Sequence, residues 1–274
     1  MLMCQVLDIG RSSYYEWLHS ILSARALETQ RLAKRIKDIF MENRCNYGAR
    51  RIRKILQLEG VSISRRRVGK LMKQQGLCCK TRRKFKIITT DSKHNLPIAA
   101  NKLERNFSAD YPDEKYVGDI TYIWTTEGWM YLAVVIDLFS RRVVGWAMDE
   151  NMKTKLVNDA LLMALWSRKP KKGLLWHTDR GSQYASDSHR EIIAAHHIVQ
   201  SMSRKGNCWD NAVSESFFHT LKTELVHHMN FKTREEAKTA IFEYIEVYYN
   251  RKRLHSANDY MAPAVFEEQK LNIN

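Results

Sequence analysis

The stretch KYVGDITYIWTTEGWMYLAVVIDLFSRRVVGWAMD, residues 115–149, decides the fold. KYVGDITYIWT alternates as a strand does, WMYLAVVIDLF is nearly continuous apolar and aromatic sequence, and RRVVGWAMD is a third run of the same kind. Such patterns predict three strands, and the short TTEG and SR turns between them make the strands antiparallel neighbours. Toward the carboxyl end, TKLVNDALLMALWSR has helical spacing, GLLWHTD reads as a short buried strand, DSHREIIAAHH as a helix and IVQSMS as a fifth strand. Two long helices follow, NAVSESFFHTLKTELV and TREEAKTAIFEYIEVYYNRKRLH.

A three-stranded meander followed by alternating helix and strand predicts an α/β fold, a mixed five-stranded sheet with flanking helices. That order is the ribonuclease H-like arrangement, expected over residues 113–274. In the other direction, residues 80–112 read as a basic linker: KTRRKFK is a charge run, TTDSKHN is polar, and Pro97 and Pro112 punctuate it. Before it, residues 1–79 read as a small all-helical DNA-binding region. Leu32–Glu42, Ala49–Leu58 and Arg65–Gln75 each carry apolar residues at helical spacing, and Gly60 and Gly76 act as stops. Two short helices across a tight turn suit a helix-turn-helix at about 34–76, with Ser64 capping the second helix. Arg65, Arg66, Arg67 and Lys70 on that helix are placed for DNA phosphates or guanines. DIGRSSYYEWL reads either as the second half of another small helical DNA-binding unit or, in the favoured reading, as the start of a helix with Tyr14, Tyr15 and Trp17 in the core.

Charge supports this division. The chain of 274 residues carries a formal charge of +15, and residues 1–95 hold 22 Lys and Arg against seven Asp and Glu, the remainder holding 23 of each. A field so placed attracts a polyanion, of which nucleic acid is the commonest. The five cysteines are odd in number and form no C-x-x-C pair, so they read as thiols of a reducing cytoplasm. Charges interrupt every apolar run before membrane-spanning length, and no signal peptide is visible, which implies a cytoplasmic protein and no membrane partner.

Three carboxylates stand out against this frame. Asp119 lies within the first strand, Asp179 ends the fourth beside it, and Glu215 lies on the helix after the fifth. Two aspartates on neighbouring strand ends with a glutamate from a nearby helix can hold two magnesium ions about 3.5–4 Å apart, since magnesium takes few hard oxygen ligands. Asp137 reads instead as a hydrogen-bonded turn residue. Glu224 competes with Glu215, but the two are nine positions apart and lie on opposite sides of the helix, so one at most faces a metal. Glu215 shares its side with His219 and Lys222, a trio that is also compatible with an exposed salt-bridged stripe.

DITYI, HTDRGSQY and KGNCWDNAVSESFFHTLKTE resemble the catalytic core of the insertion-sequence three family of bacterial transposases, the product of its second reading frame. The core belongs to the DDE transposases and retroviral integrases. The 35 residues between Asp179 and Glu215 match the family spacing, and Lys222 stands where the family has a basic residue seven beyond its glutamate. YGARRIRKILQLEG with SRRRVGKLMKQQGL, and YYNRKRLHSANDYMAPAVF, extend the likeness over nearly the whole chain.

The resemblance implies metal-dependent DNA cleavage and strand transfer, with Asp119, Asp179 and Glu215 as ligands of Mg²⁺, Mn²⁺ substituting, and Lys222 contacting DNA. It implies element ends and target DNA as partners, a homo-oligomer of at least two chains on DNA, and location with the bacterial nucleoid. It also implies fusion to, or help from, an upstream-frame protein carrying a helix-turn-helix and a leucine zipper, since no sustained heptad is visible here. The H-x3-H and C-x2-C zinc module of retroviral integrases is absent. Two rival readings remain: a nuclease of the same fold that cuts without joining, and a DNA-binding regulator without chemistry.

Overall fold

The computed structural model describes residues 4, 6–18, 23–80, 96–205 and 207–272. The chain divides into two compact units, residues 1–79 and 80–274.

In the first unit, α1 (Arg11–Leu18) is followed by α2 (Ala24–Glu42), α3 (Ala49–Leu58) and α4 (Arg65–Gln74). The last three bury one stripe each: Leu32, Ile36, Ile39 and Phe40 on α2, Ile52 and Leu56 on α3, and Val68, Leu71 and Met72 on α4. The Ser64 hydroxyl accepts the Arg67 N–H and starts α4, as expected of a cap. Gly60 and Gly76 take left-handed φ angles of 83° and 65°, which lets the chain leave α3 and α4. The aromatic core expected around α1 is not formed. No residue of α1 is buried; Trp17 is 71% exposed and Tyr15 56%. Tyr14 meets Tyr15 and Trp17 at ring distances of 5.4 and 6.2 Å, so these rings pack on one another along a short helix and not into an interior.

The second unit is built on β1 (Lys115–Thr125), β2 (Gly128–Asp137), β3 (Val143–Asp149), β4 (Leu175–Thr178) and β5 (Val199–Met202) in the order β3-β2-β1-β4-β5. The first three pair antiparallel; β1–β4 and β4–β5 are parallel. Thus the expected mixed sheet is the observed one. The helices are α5 (Thr154–Arg168), α6 (Ser182–Ala185), α7 (Asp187–Ala195), α8 (Ala212–Glu224), α9 (Arg234–Phe242) and α10 (Pro263–Leu271).

Side-chain alternation divides the core. Tyr116, Ala133, Val135 and Val144 point to one side of the sheet, with Leu161 and Ala164 of α5. Val117, Ile123, Leu132 and Val134 point to the other, with Phe217 and Leu221 of α8 and Ile241 of α9. Gly145 shows how closely α5 lies: a Cβ there would stand 2.2 Å from the Ala160 carbonyl oxygen. Ordinary side chains at 145 would push the helix off the sheet.

Two expectations meet a different structure. Of the connector expected over 80–112, residues 81–95 lie outside the described residues, and 96–112 run against the sheet, where Leu103 is buried in the α8-side core. The helix expected to run unbroken to His255 stops early. Beyond Phe242 it widens into a π-helical segment, Glu243–Tyr249, that buries Tyr244, Ile245, Tyr248 and Tyr249, and the chain then turns back. Among the described residues no helix is long and apolar enough to cross a membrane.

Candidate active site

Asp119 owes its place to its neighbours on β1. Gly118 leaves room for Trp176 of β4; a Cβ at 118 would stand 2.1 Å from the indole. The Asp119 carboxylate accepts the Ile120 N–H at 2.8 Å. Parallel pairing runs Lys115–Leu175, Tyr116–Trp176, Val117–His177, so Asp119 and Asp179 each lie two residues beyond the last pair. Asp179 leaves β4 in a turn in which its carboxylate accepts the Gly181 N–H at 2.9 Å, and the Arg180 guanidinium donates to the Ser203 carbonyl at 2.5 Å. Helix α8 is fastened at its start by the Asn211 amide, which donates to the Gly118 carbonyl at 3.2 Å. Glu215 is exposed in the first turn of α8, and Lys222 lies two turns on with its ammonium 4.1 Å from the Tyr122 ring centre.

The structure therefore brings Asp119, Asp179, Glu215 and Lys222 to one region, and their charges act on each other. The Asp119 carboxyl is held well above the usual carboxylate range, first by burial, then by the charges of Asp179 and Glu215. The Ile120 N–H and the Lys222 ammonium oppose that rise. Desolvation also raises Glu215. The buried Tyr184 hydroxyl is pushed up first by burial and then by the charges of Asp119 and Asp179. Such mutual destabilisation is relieved by a cation or by protonation. Among the described residues, no three His, Cys, Asp or Glu side chains stand converged on a point where an ion would be held. Asp119 and Asp179 each direct an oxygen to a neighbouring backbone N–H, and like charges favour that separation. As a donor set they are hard oxygens, which suit magnesium or manganese.

Two supporting networks escaped the sequence reading. His177 is fully buried two residues before Asp179. The Lys102 and Leu103 N–H groups donate to Ser201 Oγ at 2.8 and 3.2 Å, so that hydroxyl is left to donate to His177 Nδ1 at 2.8 Å. His177 Nε2 then donates to Ser203 Oγ at 3.1 Å, and this hydroxyl to the Thr178 carbonyl at 3.2 Å. The chain of bonds requires neutral imidazole, and burial lowers the His177 pKa to about 4. Asp210 forms the second network. It is buried just before α8 and accepts from the Arg204 side chain and N–H, from Arg105 at 2.9 Å and from Asn101 at 3.0 Å. Those bonds hold its carboxyl well below the usual range, the Arg204 guanidinium foremost. The word NCWDN carried the signal, but the partners Asn101 and Arg105 lie more than a hundred residues away in sequence.

Glu224 is removed from contention. It is buried against Arg253 at 2.7 Å and accepts the Tyr244 hydroxyl at 2.8 Å. In the first unit, Arg65, Arg66 and Lys70 are exposed on α4. Arg67 pairs across the surface with Glu28 of α2 at 3.4 Å and reaches Thr29 at 3.3 Å, its side chain 38% exposed. Asp137 is the turn residue expected: at the end of β2 it accepts the Phe139 N–H at 2.9 Å.

A ribonuclease H-like sheet with carboxylates gathered at the β1–β4 junction and at the start of α8 defines a polynucleotidyl transferase core of the DDE type. The sequence matches the integrase core domain family over residues 109–208, a second integrase core family over 215–271, and an HTH-like domain over 28–85. It is 44% identical over 267 residues to the insertion element IS600 uncharacterized 31 kDa protein of Shigella sonnei, covering 97% of this chain and 98% of that one. It is 42% identical over 271 residues to the transposase InsF for insertion sequence IS3A of Escherichia coli K12, covering 98% and 94%. Among solved structures, a chain of the simian T-cell lymphotropic virus intasome in complex with PP2A regulatory subunit B56 gamma aligns at a TM-score of 0.49 and 16% identity, over 86% of this chain and 74% of that one. The chain belongs to the IS3-family transposases of the InsF type. It is a transposase with an integrase core and a helix-turn-helix domain, and its substrate is DNA.

Proposed function

We propose that Asp119, Asp179 and Glu215 are the catalytic carboxylates of this transposase and hold two Mg²⁺ ions, Mn²⁺ substituting. The carrying observation is position: Asp119 and Asp179 each lie two residues beyond the last β1–β4 pair, Glu215 lies in the first turn of α8, and the charges of Asp179 and Glu215 both raise the Asp119 carboxyl. Bound metal would supply activation of the attacking oxygen, water and then a DNA 3′-hydroxyl, and stabilisation of the leaving oxygen. The chain's own groups position the reaction. Gly181 N–H and Arg180 turn the backbone away after Asp179, Asn211 and Asp210 fix the start of α8, and Lys222 contacts the DNA backbone beside the carboxylates.

Residues 1–79 recognise the ends of the element in this reading, through the helix-turn-helix at about 34–76, and 113–274 carry the chemistry. The exposed Arg65, Arg66 and Lys70 take phosphates or guanines, and Arg67, which also ties α4 to α2 through Glu28, stands beside them. Cutting paired ends calls for at least two chains on DNA, assisted by the upstream-frame protein. The decisive experiment is joining of a labelled element-end oligonucleotide to plasmid DNA in Mg²⁺ or Mn²⁺, with Mn²⁺ binding followed by calorimetry. Asp179→Asn and Glu215→Gln lose joining and weaken Mn²⁺ binding, whereas His219→Gln, on the same side of α8, retains both. Joining by Glu215→Gln at the wild-type rate would refute the assignment.

A further inference from the structure

The tip of the β1–β2 hairpin carries an aromatic surface that the reaction as described does not use. Tyr122 and Trp124 share one face of β1, and Trp129 lies directly opposite Trp124 in the register, so all three project to the same side. Trp124 is 56% exposed and Trp129 36%. Trp129 packs edge-on against Trp124 at 4.8 Å and against Tyr122 at 5.2 Å. Exposing two indoles costs hydrophobic free energy that burial would recover, so an exposed pair on an ordered element calls for an occupant.

The element is indeed braced. The Thr126 N–H donates to the Phe231 carbonyl, the Arg234 N–H donates to Glu127, and the Arg234 side chain pairs with Glu150 and reaches the Trp129 carbonyl. The rings are thereby held in place before anything binds.

Position and charge identify the occupant. Parallel pairing with β4 ends at Val117, and beyond that point Lys222 reaches from α8 to lie over the Tyr122 ring. The same ammonium acts on the Asp119 carboxylate. Trp124 is five residues further along the strand than Asp119, and by alternation Asp119 belongs to the α8 side of the sheet and the indoles to the α5 side. Past Val117 β1 has no β4 neighbour, and Lys222 links the two sides there, acting on Asp119 and lying over Tyr122. A strand whose reacting phosphate lies at Asp119 and whose backbone crosses that open edge at Lys222 brings its next bases to the indoles. Aromatic faces beside a cation are the elements from which single-strand binding surfaces are made.

We propose that Trp124 and Trp129, with Tyr122 beneath Lys222, form a stacking platform for unpaired bases of the DNA strand that leaves the active site. The proposal rests on the assignment of the carboxylate site above, because that site fixes where the strand begins. The platform takes bases without regard to sequence, since every base offers a π face; sequence recognition belongs elsewhere in the chain.

The test uses the whole chain and two probes of equal length and charge, an oligothymidylate and the same strand with abasic sugars. The basic first unit attracts both alike, so their difference isolates base stacking. Wild-type protein binds oligothymidylate about tenfold more tightly than the abasic strand, with quenching of tryptophan fluorescence. The difference disappears in the Trp124→Ala, Trp129→Ala double variant and persists in the corresponding Phe variants. Thermal melts check that each variant is folded, and the rings' exposure makes the Phe pair a safe second probe. Equal binding of the two strands by wild type, or a difference that survives in the Ala pair, overturns the platform and leaves the patch as a protein-docking surface. Joining by the Glu215→Gln variant is read separately, so failure of the carboxylate assignment is distinguishable from failure of the platform.

Discussion

Two sets of carboxylates flank the start of α8, and they are treated in opposite ways. Asp210 is surrounded by Arg204, Arg105, Asn101 and a backbone N–H, and its carboxyl is held below the ordinary range. The charges of Asp179 and Glu215 act on Asp119, which burial and those charges hold above that range although Lys222 opposes the rise. A fully compensated buried charge fixes structure; an under-compensated group stores an attraction for a cation. The first set aims α8, and the second uses the aim.

The largest effect expected from breaking this contrast is chemical. Asp179→Asn or Glu215→Gln lowers the rate of strand joining by roughly a hundredfold to a thousandfold or more, the scale of losing one preorganised electrostatic group. The same substitutions remove a repulsion, so the unfolding midpoint of the metal-free chain rises. A thermal melt beside the joining assay checks both directions at once, and a variant that loses activity through unfolding would erase the contrast.

Next comes the other compensated charge on α8. Arg253→Ala leaves Glu224 buried without its guanidinium and destabilises the second unit by about 3–5 kcal/mol, read from urea unfolding. The loss is one of folding, so joining falls in proportion to the fraction unfolded and recovers as the temperature is lowered. A smaller change follows at Asp210→Asn. The amide keeps the size of the side chain but ends the ion pairs with Arg204 and Arg105, so α8 is less firmly aimed. Joining falls about tenfold, as expected when a positioning contact is loosened, while Mn²⁺ still binds. Asp210→Asn with wild-type joining would show that Asn211 alone orients the helix.

What could be read in advance followed from range in sequence. The strands were legible from alternation and from turns of a few residues. Asp119, Asp179 and Glu215 came to notice through words such as HTDRGSQY, and the opposite directions of Glu215 and Glu224 through helical geometry. Illegible were the arrangements that depend on distant partners: Arg105 on Asp210, Ser201 on His177, and Arg253 on Glu224. Periodicity places a side chain on a face but does not name what meets it there. Arg67 illustrates this: its place on the outer side of α4 was legible, and its surface pair with Glu28 of α2 was not. The aromatic run of α1 failed for the converse reason, since hydrophobic spacing predicts burial even where the described structure supplies no covering element.

Asp137 sharpens the comparison, because it shows that a raised carboxyl does not by itself make a site. Its pKa is pushed up to about 7, first by burial and then by Asp113 and Glu267, against the N–H bonds of Phe139 and Asp113. Yet it ends β2 with those N–H groups for partners, and the carboxylates that act on it belong to ion pairs with Arg168. Since the folded value lies above the unfolded one, the folded chain keeps a proton that the unfolded chain has released between about pH 4 and pH 7. Stability conferred by that proton is complete at the acid end and is lost as pH rises toward 7. Asp137→Asn retains an acceptor for the Phe139 N–H and removes the titration, so it unfolds like wild type near pH 4 and exceeds it by about 4 kcal/mol at pH 8, the rise from 3.8 to about 7 at about 1.4 kcal/mol per pH unit. Joining is unaltered, because Asp137 has no part in holding metal or DNA. Urea melts across this pH range, with the joining assay at pH 8, separate the two kinds of raised carboxylate: one whose replacement removes chemistry, and one whose replacement removes only a pH slope.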